Sequence, residues 1–104
     1  MLEKDFLKHC EASLIELCKQ IEEADKNSQL DVEYSDGILS VVIEATNQTY
    51  IINRHAASQK IWYSSPFSGA DYFSFDEKSQ KWLDSKLSEL GHKLFLELST
   101  ILKF

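Results

Sequence analysis

Apolar residues recur at spacings of three and four through the first part of the chain, at Phe6, Cys10, Leu14, Leu17, Ile21 and Ala24. Helical geometry places such positions on one stripe, so residues 3 to about 25 are predicted to form a single amphipathic helix. Its outer surface carries Glu11, Glu16, Cys18, Lys19, Glu22, Glu23 and Asp25, and Asn27-Ser28 ends it. The pattern then changes to alternation. Leu30, Val32 and Tyr34 share one face of a strand over residues 30–35, and Asp36-Gly37 is a two-residue hairpin signal. Residues 38–44 return, rich in β-branched side chains. Thr46-Asn47-Gln48 makes the next turn, and residues 49–54 form a third strand. A polar loop over 55–58 leads to a fourth strand at 59–64, broken by Ser65-Pro66-Phe67-Ser68-Gly69. Residues 71–75 form a fifth strand, and 80–84 a short sixth.

The chain ends in a second helix whose apolar face comprises Leu87, Leu90, Leu94, Leu98, Ile101 and Leu102. Gly91 falls inside this pattern, where it would cost about 1 kcal/mol relative to alanine. The helix therefore begins near Gly91 or bends there. Consecutive strands with short turns imply an antiparallel sheet. Two one-sided helices must bury their stripes on one face of it. The expected fold is α+β: a two-layer sandwich with two helices on one face of an antiparallel sheet of five to six strands. The other sheet face is left open to solvent.

The length of 104 residues fits one domain with one core, and residues 1–104 are read as that domain. A net charge of −6 opposes binding to nucleic acid or anionic membranes and favours cations or a basic protein partner. Cys10 and Cys18 both fall in the first helix, with Cα atoms roughly 12 Å apart. A disulfide is therefore out of reach, and free thiols fit a reducing compartment. The N-terminus has neither the apolar core of a secretory signal nor the composition of a transit peptide. No apolar run is long enough to span a bilayer. The expected location is the cytoplasm, or an organelle that holds an already processed form.

Two constellations could carry chemistry. Glu22 and Asp25 are helix neighbours; Glu11, Cys18 and Glu22 follow nearly one line of the helix surface; Asp31 and Glu33 point to one side of the first strand. If that strand packs beside the helix end, these carboxylates form one ridge. Carboxylate oxygens suit Fe²⁺, Mn²⁺, Mg²⁺ or Ca²⁺, and no His or Cys spacing suggests a closed zinc site. The alternative is an ordinary solvated helix face, with Glu22 pairing with Lys26. The second constellation is Trp62, which faces away from the core if Ile61 and Tyr63 face it. Asn53 and Arg54 are on the neighbouring strand, and Lys60 shares its face. Exposed Trp and Arg are frequent binding anchors, whereas a Trp covered by Phe67 or Tyr72 would be structural. Trp82 and Cys10 read as packing. His9, His55 and His92 are scattered, and nothing supports a Cys–His catalytic pair or a phosphate-binding glycine loop.

The motifs Ile52-Asn53-Arg54, Ile61-Trp62, Ser65-Pro66-x-Ser68-Gly69 and the aromatics Tyr72, Phe73 and Phe75 together resemble the frataxin family. Leu30-Asp31-Val32-Glu33 and Gly37-Ile38-Leu39 add to the likeness. It runs from Phe6 to about Trp82, and the direct opening into the first helix resembles the bacterial branch. The resemblance implies an iron-binding protein of iron–sulfur cluster assembly that contacts a cysteine desulfurase and an iron–sulfur scaffold protein. Carried over by position, it implies a metal ridge of Glu22, Glu23, Asp25, Asp31 and Glu33, with Glu11 and Asp36 as additions. It implies a partner surface centred on Trp62 with Asn53, Arg54 and Lys60. The chain departs from the pattern at Cys18, Lys19, Asn27 and Gln29, which implies fewer or weaker ions. His55 and Lys60 stand where glutamines are common in the family.

The resulting expectation is a monomeric, non-enzymatic iron-binding regulator of cluster assembly. A ferroxidase-like or storage activity and a metal-independent protein-binding adaptor are the alternatives.

Overall fold

The computed structural model describes residues 1–102. Its elements, in order, are α1 (Glu3–Ala24), β1 (Leu30–Ser35), β2 (Ile38–Ile43), β3 (Gln48–His55), β4 (Lys60–Ser65), β5 (Gly69–Asp76), β6 (Lys81–Leu83) and α2 (Leu90–Leu98). The six strands form one antiparallel sheet in sequence order. Both helices cover the same face, and the two-layer sandwich expected from the alternation pattern is the one observed.

The stripe of α1 is the buried set Phe6, Cys10, Leu14, Leu17 and Ile21. It lies over β1, β2 and β3. The inward residues of the sheet, Leu39, Val41, Tyr50, Ile52, Ile61, Tyr63 and Phe73, are fully buried beneath the helices. Trp82 closes one end of this core. It packs edge-on against Phe6 and Phe75, and its indole N–H donates to Ser13 Oγ at 2.9 Å.

Turn chemistry fixes the register. Asp36 and Gly37 both have positive φ (47° and 80°), as a type I′ hairpin requires. A side chain at Gly37 would also collide with Arg54, whose guanidinium lies 2.7 Å from where a Cβ would sit. Three of the four later hairpins place one left-handed residue, Asn47, Gln59 or Gln80, immediately before the returning strand, and the β4–β5 hairpin has Gly69 (φ 81°) as the first residue of its returning strand.

α2 starts at Leu90 because the Glu89 carboxylate accepts from the backbone N–H groups of Gly91 and His92, both at 2.9 Å. Gly91 therefore sits in the first turn of the helix rather than its interior. Leu90, Leu94, Leu98 and Leu102 are buried as expected, although Leu102 lies beyond the helix. Leu87 does not join them. It has a φ of 65° and is 76% exposed, in a loop organised by Asp84. The Asp84 carboxylate accepts from the backbone N–H groups of Lys86 and Ser88. Burial pushes its carboxyl up, but these bonds outweigh that and hold it below the ordinary carboxylate range. The apolar periodicity thus runs one step past the true helix start.

Candidate functional site

The first candidate is the edge made by α1 and β1. Glu11, Glu22 and Glu23 are exposed on α1, and Asp31 and Glu33 are exposed on β1. Leu30 is buried and Val32 and Tyr34 are half-buried, so the acids of β1 project from the open face of the sheet while α1 lies on the other. The ridge therefore wraps around the sheet edge. Glu11 and Glu22 are separated by about 16 Å of helix. Among the described residues, no group of three or more His, Cys, Asp or Glu side chains is arranged to hold a metal ion. The acids are strung along an edge.

Four of these carboxylates, Glu11, Glu23, Asp31 and Glu33, have no hydrogen-bond or ion-pair partner among the described side chains. The ion pairs present there are Arg54–Asp36 and Lys93–Asp71. Glu22 accepts from the Cys18 thiol at 3.4 Å. Burial, followed by this bond and charge, pushes the Cys18 thiol up to about 11. Burial pushes Cys10 to about 12. Neither thiol is poised for nucleophilic chemistry. The Glu22–Lys26 pair of the solvated-face alternative is absent, since α1 ends at Ala24, which takes Lys26 off the helix surface.

Two sequence-assigned ridge residues are otherwise engaged. Asp25 gives one oxygen to Gln29 N–H at 2.8 Å and the other to Leu30 N–H at 2.9 Å. Asp36 lies in the turn at the far end of β1 and pairs with Arg54 at 3.3 Å. This pair also corrects the placement of Arg54. Asn53 is opposite Trp62, whereas Arg54 is opposite the fully buried Ile61. Arg54 therefore points to the helix side of the sheet, away from the Trp62 surface.

The second candidate is the open sheet face. Asn53, Trp62 and Tyr72 form one row across β3, β4 and β5. His55, Lys60 and Ser74 form the next row, and the His55 ring meets Tyr72 edge-on. Trp62 is half-buried with Tyr72 alongside it, and Phe67 packs instead against Tyr50. Glu33 and Asp31 stand on this same face, three strand spacings or about 14 Å from β4. The acidic edge and the aromatic row thus adjoin on one surface.

A third cluster went unnoticed in the sequence. The carboxylate of Glu97 on α2 accepts four side-chain hydroxyls, from Tyr50 (3.1 Å), Tyr63 (3.0 Å), Ser65 (2.5 Å) and Ser68 (2.8 Å). Ser65 Oγ also accepts from the backbone N–H groups of Phe67 and Ser68, which shapes the turn after β4. Burial pushes the Glu97 carboxyl up, but the hydroxyl bonds outweigh it and hold the group below the ordinary carboxylate range. Burial and the Glu97 charge push both tyrosines up, so they remain donors. The available signal was two tyrosines at inward positions, whose buried hydroxyls need an acceptor.

A family model for the frataxin-like domain matches residues 1–104. The mitochondrial frataxin of Dictyostelium discoideum is 32% identical over 85 residues, covering 81% of this chain and 44% of that protein. The iron-sulfur cluster assembly protein CyaY of Thioalkalivibrio sulfidiphilus is 30% identical over 89 residues, covering 86% of this chain and 81% of that one. The chain spans about half the length of the mitochondrial relatives it matches. In fold, it superposes on the frataxin of Psychromonas ingrahamii with a TM-score of 0.83 at 18% identity, over 97% of this chain and 91% of that one. A trimeric frataxin from Saccharomyces cerevisiae complexed with ferrous iron gives 0.68 at 28% identity, over 100% and 88%.

Proposed function

Since this chain belongs to the frataxin-like family, we propose that it is an iron-binding regulator of iron–sulfur cluster assembly that docks on a cysteine desulfurase and its scaffold protein. The observation that carries this is the exposed acidic edge of Glu22, Glu23, Asp31 and Glu33, adjoining the Asn53–Trp62–Tyr72 row on the open face. A related bacterial protein is named for iron–sulfur cluster assembly, and a related yeast frataxin is complexed with ferrous iron.

Oxygen donors spaced along an edge fit a hard or borderline cation held loosely and exchanged easily. Iron is then cargo or signal rather than a resident cofactor, and the protein acts without a catalytic centre of its own. The acids dock on a basic patch of the desulfurase, and Trp62 with Asn53 and Lys60 contacts the scaffold. Iron on the edge reduces its negative charge and so weakens docking, which links iron supply to assembly rate. The protein works as a monomer in a reducing compartment, where Cys10 and Cys18 stay free. Among the described residues, no helix is long and apolar enough to cross a membrane.

Calorimetry against the desulfurase of the same organism tests the proposal. Reversing two charges with Glu22→Lys and Asp31→Lys is expected to weaken binding at least about tenfold and flatten its salt dependence. Unchanged affinity would sink it.

A further inference from the structure

We propose that the outer edge of β1 is an addition site for an extended basic segment of a partner protein, which binds as a seventh strand beside the six of the sheet. β1 is a terminal strand, and among the described residues β2 is its only neighbour in the sheet. The hairpin phase shows which of its backbone groups are free. A two-residue type I′ turn makes its closing pair, Ser35 and Ile38, a hydrogen-bonded pair. Asp31 and Glu33 then bond to β2 as well, and Leu30, Val32 and Tyr34 direct their N–H and C=O groups away from the sheet. Two observed bonds agree with this phase. Leu30 N–H turns outward to Asp25, and Glu44 N–H donates to Gln29 C=O one step beyond the ladder. Asp25 thus stoppers one end of the edge and leaves Val32 and Tyr34 as its open pair.

Strand edges are usually blunted by a bulge, a proline or a lysine. β1 has none of these, and its register with β2 is unbroken over all six residues. It does have charge of one sign, and that charge selects the occupant. A second copy of this chain adding antiparallel about a two-fold axis would pair Asp31 with Glu33, or Glu33 with itself, in the registers that overlap most. Like charges directly opposite are destabilising. Lys or Arg at the same places meets Asp31 and Glu33 across the strands. The intervening side chains of the added strand fall beside Val32 and Tyr34, which are half-buried and suit aliphatic neighbours. The segment that fits alternates Lys or Arg with Val, Ile or Thr.

The test uses a short synthetic peptide in which lysine alternates with valine. In the fitting register the valine N–H groups face β1 and the lysine N–H groups face solvent. N-methylation at the valines is expected to weaken binding about tenfold or more, whereas N-methylation at the lysines changes it less than about twofold. The unmethylated peptide should slow amide exchange at Val32 and Tyr34. Equal loss or equal retention for the two methylated peptides, protection confined to other strands, or no binding would each overturn the proposal. Both readings use Asp31, but the contrast between the methylated peptides is measured without the desulfurase, so this inference and the assembly proposal can fail separately.

Discussion

Asp25 and Leu30 are joined across the turn from α1 to β1, with the Asp25 Oδ2 accepting from the Leu30 N–H at 2.9 Å. The other carboxylate oxygen takes the Gln29 N–H. An acid that sequence position assigns to metal binding is therefore a capping group. Asp25→Ala strands two part-buried donors and is expected to cost about 1–3 kcal/mol in urea unfolding. Cation affinity, measured by titration, should stay within about twofold of the parent, whereas Glu22→Gln or Asp31→Asn should lower it more.

Glu97 is expected to be a keystone of stability. Glu97→Leu leaves the hydroxyls of Tyr50 and Tyr63 without their acceptor and should cost about 2–4 kcal/mol. Thermal melting should fall by roughly 10 °C or more. Tyr63→Phe alone should cost about 1 kcal/mol, because three donors remain on the carboxylate.

The same group gives a pH dependence with a defined sign. The Glu97 carboxyl titrates lower in the folded protein than in the unfolded chain. Its contribution is fully present above the unfolded value, about 4.3, and is lost as pH falls through the folded value. Asp84 behaves in the same direction. Denaturation between pH 7 and pH 3 should show an acid limb that Glu97→Gln makes shallower.

Leu87 is held at a φ of 65° and is 76% exposed. Glycine adopts that conformation freely, so Leu87→Gly should raise stability by about 0.5–1 kcal/mol despite removing an apolar side chain. A lower urea midpoint for the variant would contradict this.

Trp62 and Trp82 separate the proposed partner surface from the core. Trp62→Ala removes a half-buried cross-strand neighbour of Tyr72 and should cost about 1 kcal/mol, with scaffold binding reduced at least about tenfold. Trp82→Ala empties a core position shared with Phe6 and Phe75 and should cost about 3–5 kcal/mol.

The elements were legible because the two periodicities are clean. The α1 stripe, the alternation in β1 and the Asp36-Gly37 turn each specify one structure. Leu87 misled because the spacing from Leu87 to Leu90 is helical, while the capping carboxylates of Asp84 and Glu89 that end the loop are visible only in three dimensions. Arg54 misled because its neighbour Asn53 faces the opposite side of the sheet, and the phase of β3 depends on which of its residues are buried. Asp36 and Asp25 look like free acids in sequence, since their partners Arg54 and Leu30 N–H arrive through folding. Glu97 stayed hidden because its four donors come from β3, β4 and the following turn, far away in the chain.

The sequential order of the sheet also bears on how the chain is made. Each strand finds its partner in the hairpin just synthesised, so pairing can keep pace with the ribosome. The cover over Tyr50, Tyr63 and Phe73 does not, because α2 comes after all six strands. At about 5–20 residues per second, the stretch from the end of β6 to Leu102 takes roughly 1–4 s to emerge. For that interval the nascent sheet shows part of its apolar face, which makes translation speed over the final helix a determinant of how much chain escapes aggregation.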